Sequence, residues 1–178
     1  MPRSVPAPVI ERILETAMYA PSAHNLQPWR FCVVTTSVVK SRLGKALTFK
    51  MRADMNAAGV PQSEIKARAE RSLRRLDEAL VVILLCREVT AVRGDEPEEV
   101  TMAIQSVSAA GLQLLLAAHA EGLGGNWICW PLYAQEAARE ALELPESWEP
   151  QAMFFLGYAD EEPREKKLKS LDEILIKI

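Results

Sequence analysis

The chain has 178 residues, with 21 Lys plus Arg against 24 Asp plus Glu and a formal net charge of -3. That length predicts one domain, residues 1–178, able to bury a full core, and the weak negative charge excludes the basic footprint of a nucleic-acid or anionic-membrane binder. Cys32, Cys86 and Cys129 are far apart, and no CxxC spacing or His-rich cluster is present. No metal site is therefore expected, and the thiols read as those of a reducing, cytoplasmic setting. No charged and then apolar leader opens the sequence as given, which agrees with that setting.

In chain order, "APVIERILETAMYA" places Val9, Ile10, Ile13, Leu14, Ala17 and Met18 at helical spacing and stops at Pro21. "WRFCVVTT", rich in β-branched and aromatic residues, predicts a short strand, so the polar "PSAHNLQ" joins a helix to a strand. Residues 40–80 are charged and helix-prone, with a turn at Gly59 and Pro61 and Ser63 expected to cap the helix that follows. Arg68, Arg71, Arg74 and Arg75 lie close together on that helix. "ALVVILLC" predicts a fully buried strand, and "REVTAVRGDEPEE" a polar loop.

Residues 101–120 predict a long central helix. A membrane span needs about 20 mostly apolar residues, whereas this run contains Gln105, Ser106, Ser108, Gln113 and His119, so it reads as a buried helix. Its apolar character nearly all round is more than one small chain can cover, which predicts an obligate homodimer. The helix ends in the glycines of "EGLGGNW". After "WICWPL" come a short helix "AQEAAREALEL", a strand "QAMFFLGYA" and a charged tail. Helices and strands alternate without the long βαβ units or the dinucleotide fingerprint of a doubly wound sheet. The expected class is an α+β sandwich with a helical core.

Three features could carry chemistry. Ser22, Asn25 and Gln27 offer polar groups in a loop suited to a planar, polar-edged ligand, or to a simple turn. The glycines of "GLGGNWICW" allow close backbone approach, and its tryptophans could flank an aromatic ring, or end a helix and fill the core. Arg71 and Arg74, three apart on a helix, could meet a phosphate, or form a solvated face. Phosphate, polar loop and aromatic wall together describe flavin mononucleotide (FMN).

In this order and spacing, "APSAHNLQPWRFCVV", "LRRLDEALVVILLC", "EGLGGNWICW" and "LELPESWEPQAMFFLGYADEEP" resemble the FMN-dependent nitroreductase family, over nearly the whole chain from about Ile10. "MRADMNAAGVPQSEIKARAERS" is similar to the nitroreductase-like domain attached to the γ-glutamyl ligase of deazaflavin coenzyme biosynthesis. The resemblance implies an α/β/α sandwich with an antiparallel-dominated sheet and a long central helix, in an intertwined homodimer with FMN at the interface. It places Ser22, Ala23, Asn25 and Gln27 in the flavin-touching loop, and Arg71 and Arg74 near ribityl chain and phosphate. The backbone amides of Cys129 and Trp130 would face the hydride-accepting nitrogen. Arg164, Lys166 and Lys169 are the tail's candidates for the phosphate. Of the family's basic N-terminal segment, Arg3 and Ser4 have counterparts here.

The implied activity is hydride transfer from NADH or NADPH, through FMN, to a nitroaromatic, a quinone or a related acceptor. The flavin performs the chemistry, so no catalytic side chain is expected; His24 reads as a loop hydrogen-bonding residue. Reduction of a deazaflavin coenzyme precursor, and flavin or deazaflavin binding without turnover, are the alternatives.

Overall fold

The computed structural model describes residues 4–160 and 165–178. Its centre is a four-stranded antiparallel sheet in the order β1-β2-β4-β3, formed by β1 (Trp29–Val34), β2 (Val81–Glu88), β3 (Gly124–Ile128) and β4 (Trp148–Gly157). The eight residues of β2 are all buried. Alternation along a strand sends successive side chains to opposite faces, so Val81, Ile83 and Leu85 enter one core while Val82, Leu84 and Cys86 enter the other. Burial pushes the Cys86 thiol up to about 12 and raises that of Cys32, leaving both as protonated core groups.

On the first face lie α1 (Ala7–Ala17) and α4 (Pro97–Ala120). Ile10, Ile13 and Ala17 recur at helical spacing as the buried stripe of α1, and Arg12 pairs through two nitrogens with Glu121 at the end of α4 (2.8 and 2.7 Å). By length and composition α4 could cross a membrane. It packs instead against α1 and the sheet, burying Val107, Ala110, Gly111, Leu114 and Ala118. A Cβ at Gly111 would come 2.8 Å from the Trp127 ring, so only glycine lets helix and ring approach this closely.

The second face carries α2 (Ser37–Ala57), α3 (Gln62–Glu78) and α5 (Gln135–Ala141). Helices α2 and α3 form a hairpin whose turn contains Gly59 at φ +72°. The buried Lys40 of α2 donates to the carbonyls of Asp77 and Ala79, satisfying the open end of α3, and burial lowers its pKa.

Two layers of helices around an antiparallel sheet match the expected sandwich, with differences in detail. Ser63 does not cap α3; the cap position is Pro61, whose fixed φ suits entry into a helix. The glycines after α4 do more than end it, since Gly124 and Gly125 open the edge strand β3. Within the single chain α4 is not covered all round: Ile104, Leu112 and Leu116 are 38, 56 and 57 % exposed.

Candidate functional site

A cleft of about 640 Å³ opens between the α2–α3 hairpin and the connection from β3 to α5. Helix α2 contributes Met51, Asp54 and Met55, which share a face at i, i+3 and i+4. Helix α3 contributes Glu64, Arg68, Arg71, Ser72 and Arg75, a stripe at helical period that flanks buried Ile65, Ala69 and Leu76. Ile128, Cys129, Trp130 and Tyr133 form the opposite wall.

The arginines of this cleft are uncommitted. Arg68, Arg71 and Arg75 make no ion pair or side-chain hydrogen bond with any described residue, while the outer face of the same helix pairs Lys66 with Glu70 (3.9 Å) and Arg74 with Glu78 (4.0 Å). Cys129 and Trp130 stand at the start of a single 3₁₀ turn, where backbone N–H groups have no partner inside the helix. Neither amide donates to a described residue. The Trp130 indole N–H is buried and also has no acceptor among the described residues. Buried donors are nearly always satisfied. The arginines Arg71 and Arg75 and the two open amides fit a ligand with a phosphate and a polar ring edge, groups that FMN carries.

The polar loop is built differently. His24, Asn25 and Gln27 have φ of 51°, 55° and 49°, a left-handed conformation that costs roughly 1–3 kcal/mol at a residue other than glycine. Hydrogen bonds hold it there. Ser22 Oγ accepts from Gln27 N (3.1 Å), Ser106 Oγ on α4 accepts from Ala23 N (3.1 Å), and Gln27 Nε2 donates to Asn25 Oδ1 (3.1 Å). Arg30 donates to the Gln27 carbonyl (3.2 Å) and lies 3.8 Å from Glu88. Burial alone would raise the Glu88 pKa, but hydrogen bonds from Thr90 and Ser147 and the charge of Arg30 outweigh it, leaving a carboxylate below the ordinary range. Trp29 and Phe31, just beyond the loop, pack into the first core.

The structure thus brings Arg71, Cys129 and Trp130 together but keeps Ser22, Ala23, Asn25 and Gln27 apart from them. The loop enters the sheet at β1 and the cleft leaves it at β3, the opposite edge, three strand spacings or about 14 Å away. The two also lie on different faces, since the loop bonds to α4 and the cleft faces α2 and α3. Arg74 lies outside the cleft, beside Lys40, Ser41 and Lys45. The reason is helical phase: four residues return to nearly the same face, so Arg75 follows Arg71, while Arg74 sits about 100° from Arg75. Arg68, Ser72 and Arg75 are absent from the ligand set expected above, and the same period would have found them. Ser4, Lys166 and Lys169 are exposed and line no part of the cleft; Arg3 and Arg164 lie outside the described residues.

A family profile described as the nitroreductase family matches residues 1–158. An inferred NADH dehydrogenase/NAD(P)H nitroreductase of Archaeoglobus fulgidus is 31 % identical over 157 residues, covering 86 % of this chain and 74 % of that protein. Among solved structures, a BluB-like flavoprotein from Clostridium difficile superposes with a TM-score of 0.82 at 23 % identity, over 99 % of this chain and 91 % of the other. The NADPH:FMN oxidoreductase of Vibrio harveyi, solved with NAD+, gives 0.78 at 18 % identity, over 99 % and 70 %. At these identities the structures show a shared fold.

Proposed function

This chain belongs to the nitroreductase family, and from that premise we propose that it is an FMN-dependent oxidoreductase carrying hydride from NADH or NADPH to a nitroaromatic, quinone or related acceptor. The observation that carries this reading is the cleft in which Arg71 and Arg75, without ion-pair partners among the described residues, stand with the open amides of Cys129 and Trp130. FMN, when bound, supplies the hydride chemistry. Arg71 and Arg75 bind its phosphate by charge-assisted hydrogen bonds. The Cys129 and Trp130 amides donate to the polar ring edge, where fixed donors stabilise negative charge without reorganising. Met51, Met55 and Trp130 keep water from the ring. None of these roles requires a catalytic acid, base or nucleophile.

The reading includes an intertwined homodimer. One chain separates its polar loop from its arginine cleft, so a second copy is the simplest source of a loop for each cleft. The open apolar positions of α4 and the exposed Leu171, Ile174 and Ile176 of the tail supply surface for that contact. The tail bases Lys166 and Lys169 would then serve a partner's phosphate. The free cysteines accord with a cytoplasmic setting.

The test is the absorbance spectrum of the purified protein. A flavin spectrum that NADH or NADPH bleaches, and a nitroaromatic or quinone restores, is expected; bound pigment that neither nucleotide bleaches overturns the enzyme in favour of a binding protein. The segment similar to the deazaflavin-associated domain supplies most of the helical wall, from Met51 to Ser72. This favours a deazaflavin precursor as the second acceptor to assay.

A further inference from the structure

Arg68 is left over when the proposed cofactor contacts are set aside. Glu64 and Arg68 are four residues apart with the acid first, the order that favours an ion pair on a helix, yet they form none. The reverse pair Lys66–Glu70 on the outer face does form one. Asp54, the other carboxylate of the cleft, is held by Lys50. The open charges are therefore three arginines and Glu64. A phosphate monoester carries about -1.5 to -2 at neutral pH, which Arg71 and Arg75 match. Arg68 and Glu64 remain, toward the hairpin tip, about 10 and 16 Å along α3 from Arg75 and, for Arg68, one turn from Arg71, in a cleft that Met51, Met55 and Val60 also line.

We propose, on the premise of the flavin reading above, that Arg68 anchors the carboxylate of an aromatic monocarboxylate acceptor in the outer part of this cleft. The methionines adapt to a flat apolar body. Arg68 supplies a planar fork that matches a carboxylate through two bonds. Glu64 disfavours a second negative charge on the ligand, which separates a monocarboxylate from a dicarboxylate.

The experiment is calorimetric titration of the oxidised protein with para-nitrobenzoate and its neutral analogue para-nitrobenzamide, in the wild type, Arg68→Ala and Arg68→Lys, with flavin content measured on each preparation. The wild type is expected to prefer the benzoate. Arg68→Ala should weaken benzoate binding about tenfold, the low end for a charge-assisted bond because the site is open to water. Benzamide binding should stay unchanged, and Arg68→Lys should restore part of the loss. Equal weakening of both compounds, no weakening, or no benzoate binding by the wild type overturns the proposal. So does binding of NADP+, titrated in the same way, that falls as far as benzoate binding, since the anchored group would then be a nucleotide phosphate. A flavin-free wild type overturns the cofactor reading alone, because the same titrations on that protein still decide whether Arg68 selects a carboxylate.

Discussion

The polar loop and the arginine cleft are opposite solutions to presenting polar groups. In the loop, strain at His24, Asn25 and Gln27 is held by bonds to Ser22 and Ser106 and from Arg30, so much of its polarity is spent on its own shape. In the cleft, a regular helix without strain holds Arg68, Arg71 and Arg75 with no ion pair to any described residue. A preformed loop can present a fixed surface without rearranging, whereas uncommitted charges wait for a ligand. Mutations should therefore separate stability from binding, the loop yielding the first and the cleft the second.

The largest effect is expected from Arg71→Ala combined with Arg75→Ala. Loss of two charge-assisted contacts, at about 1.5–3 kcal/mol each, should weaken FMN binding by at least a hundredfold, with apoprotein melting unchanged. Equilibrium dialysis of flavin beside a thermal melt checks both halves, and a fall in melting temperature with flavin affinity intact would erase the contrast.

Glu88→Gln should strike stability instead, by about 2 kcal/mol at neutral pH, because the carboxylate accepts bonds from Thr90 and Ser147 beneath the loop. Its folded pKa lies below the ordinary 4.5. The stabilisation it gives is therefore complete above about pH 4.5 and is lost as pH falls through the lower folded value. Denaturant titrations of wild type and variant should converge below that point and stay apart above it.

Ser106→Ala removes the acceptor for the Ala23 amide and should cost about 1 kcal/mol of stability, read as a lowered denaturant midpoint. The smallest effect belongs to Arg74→Ala. Its exposed ion pair with Glu78 is worth less than about 0.5 kcal/mol, and neither stability nor flavin retention should change measurably. A clear loss of flavin in this variant would move the phosphate contact to the other side of α3.

Much of this was legible from local pattern. The stripe of Ile10, Ile13 and Ala17 predicts α1 and the unbroken apolar run predicts β2, because burial on a regular element imprints its period on the chain. The strand β3 was hidden, since Gly124, Gly125 and Asn126 have low strand propensity. Gly125 is there because a Cβ would meet Leu115 at 2.5 Å, a contact between elements that no local pattern records. Residue types likewise point to Arg71 and the family resemblance to the amides of Cys129 and Trp130, whereas helical phase joins Arg75 to them and sets Arg74 apart. The separation of Ser22 and Asn25 from that cleft was decided by tertiary structure alone. Spacing along a chain does not state which edge or face of a sheet a loop will reach, since strand order and helix layering depend on how the whole apolar surface is buried at once.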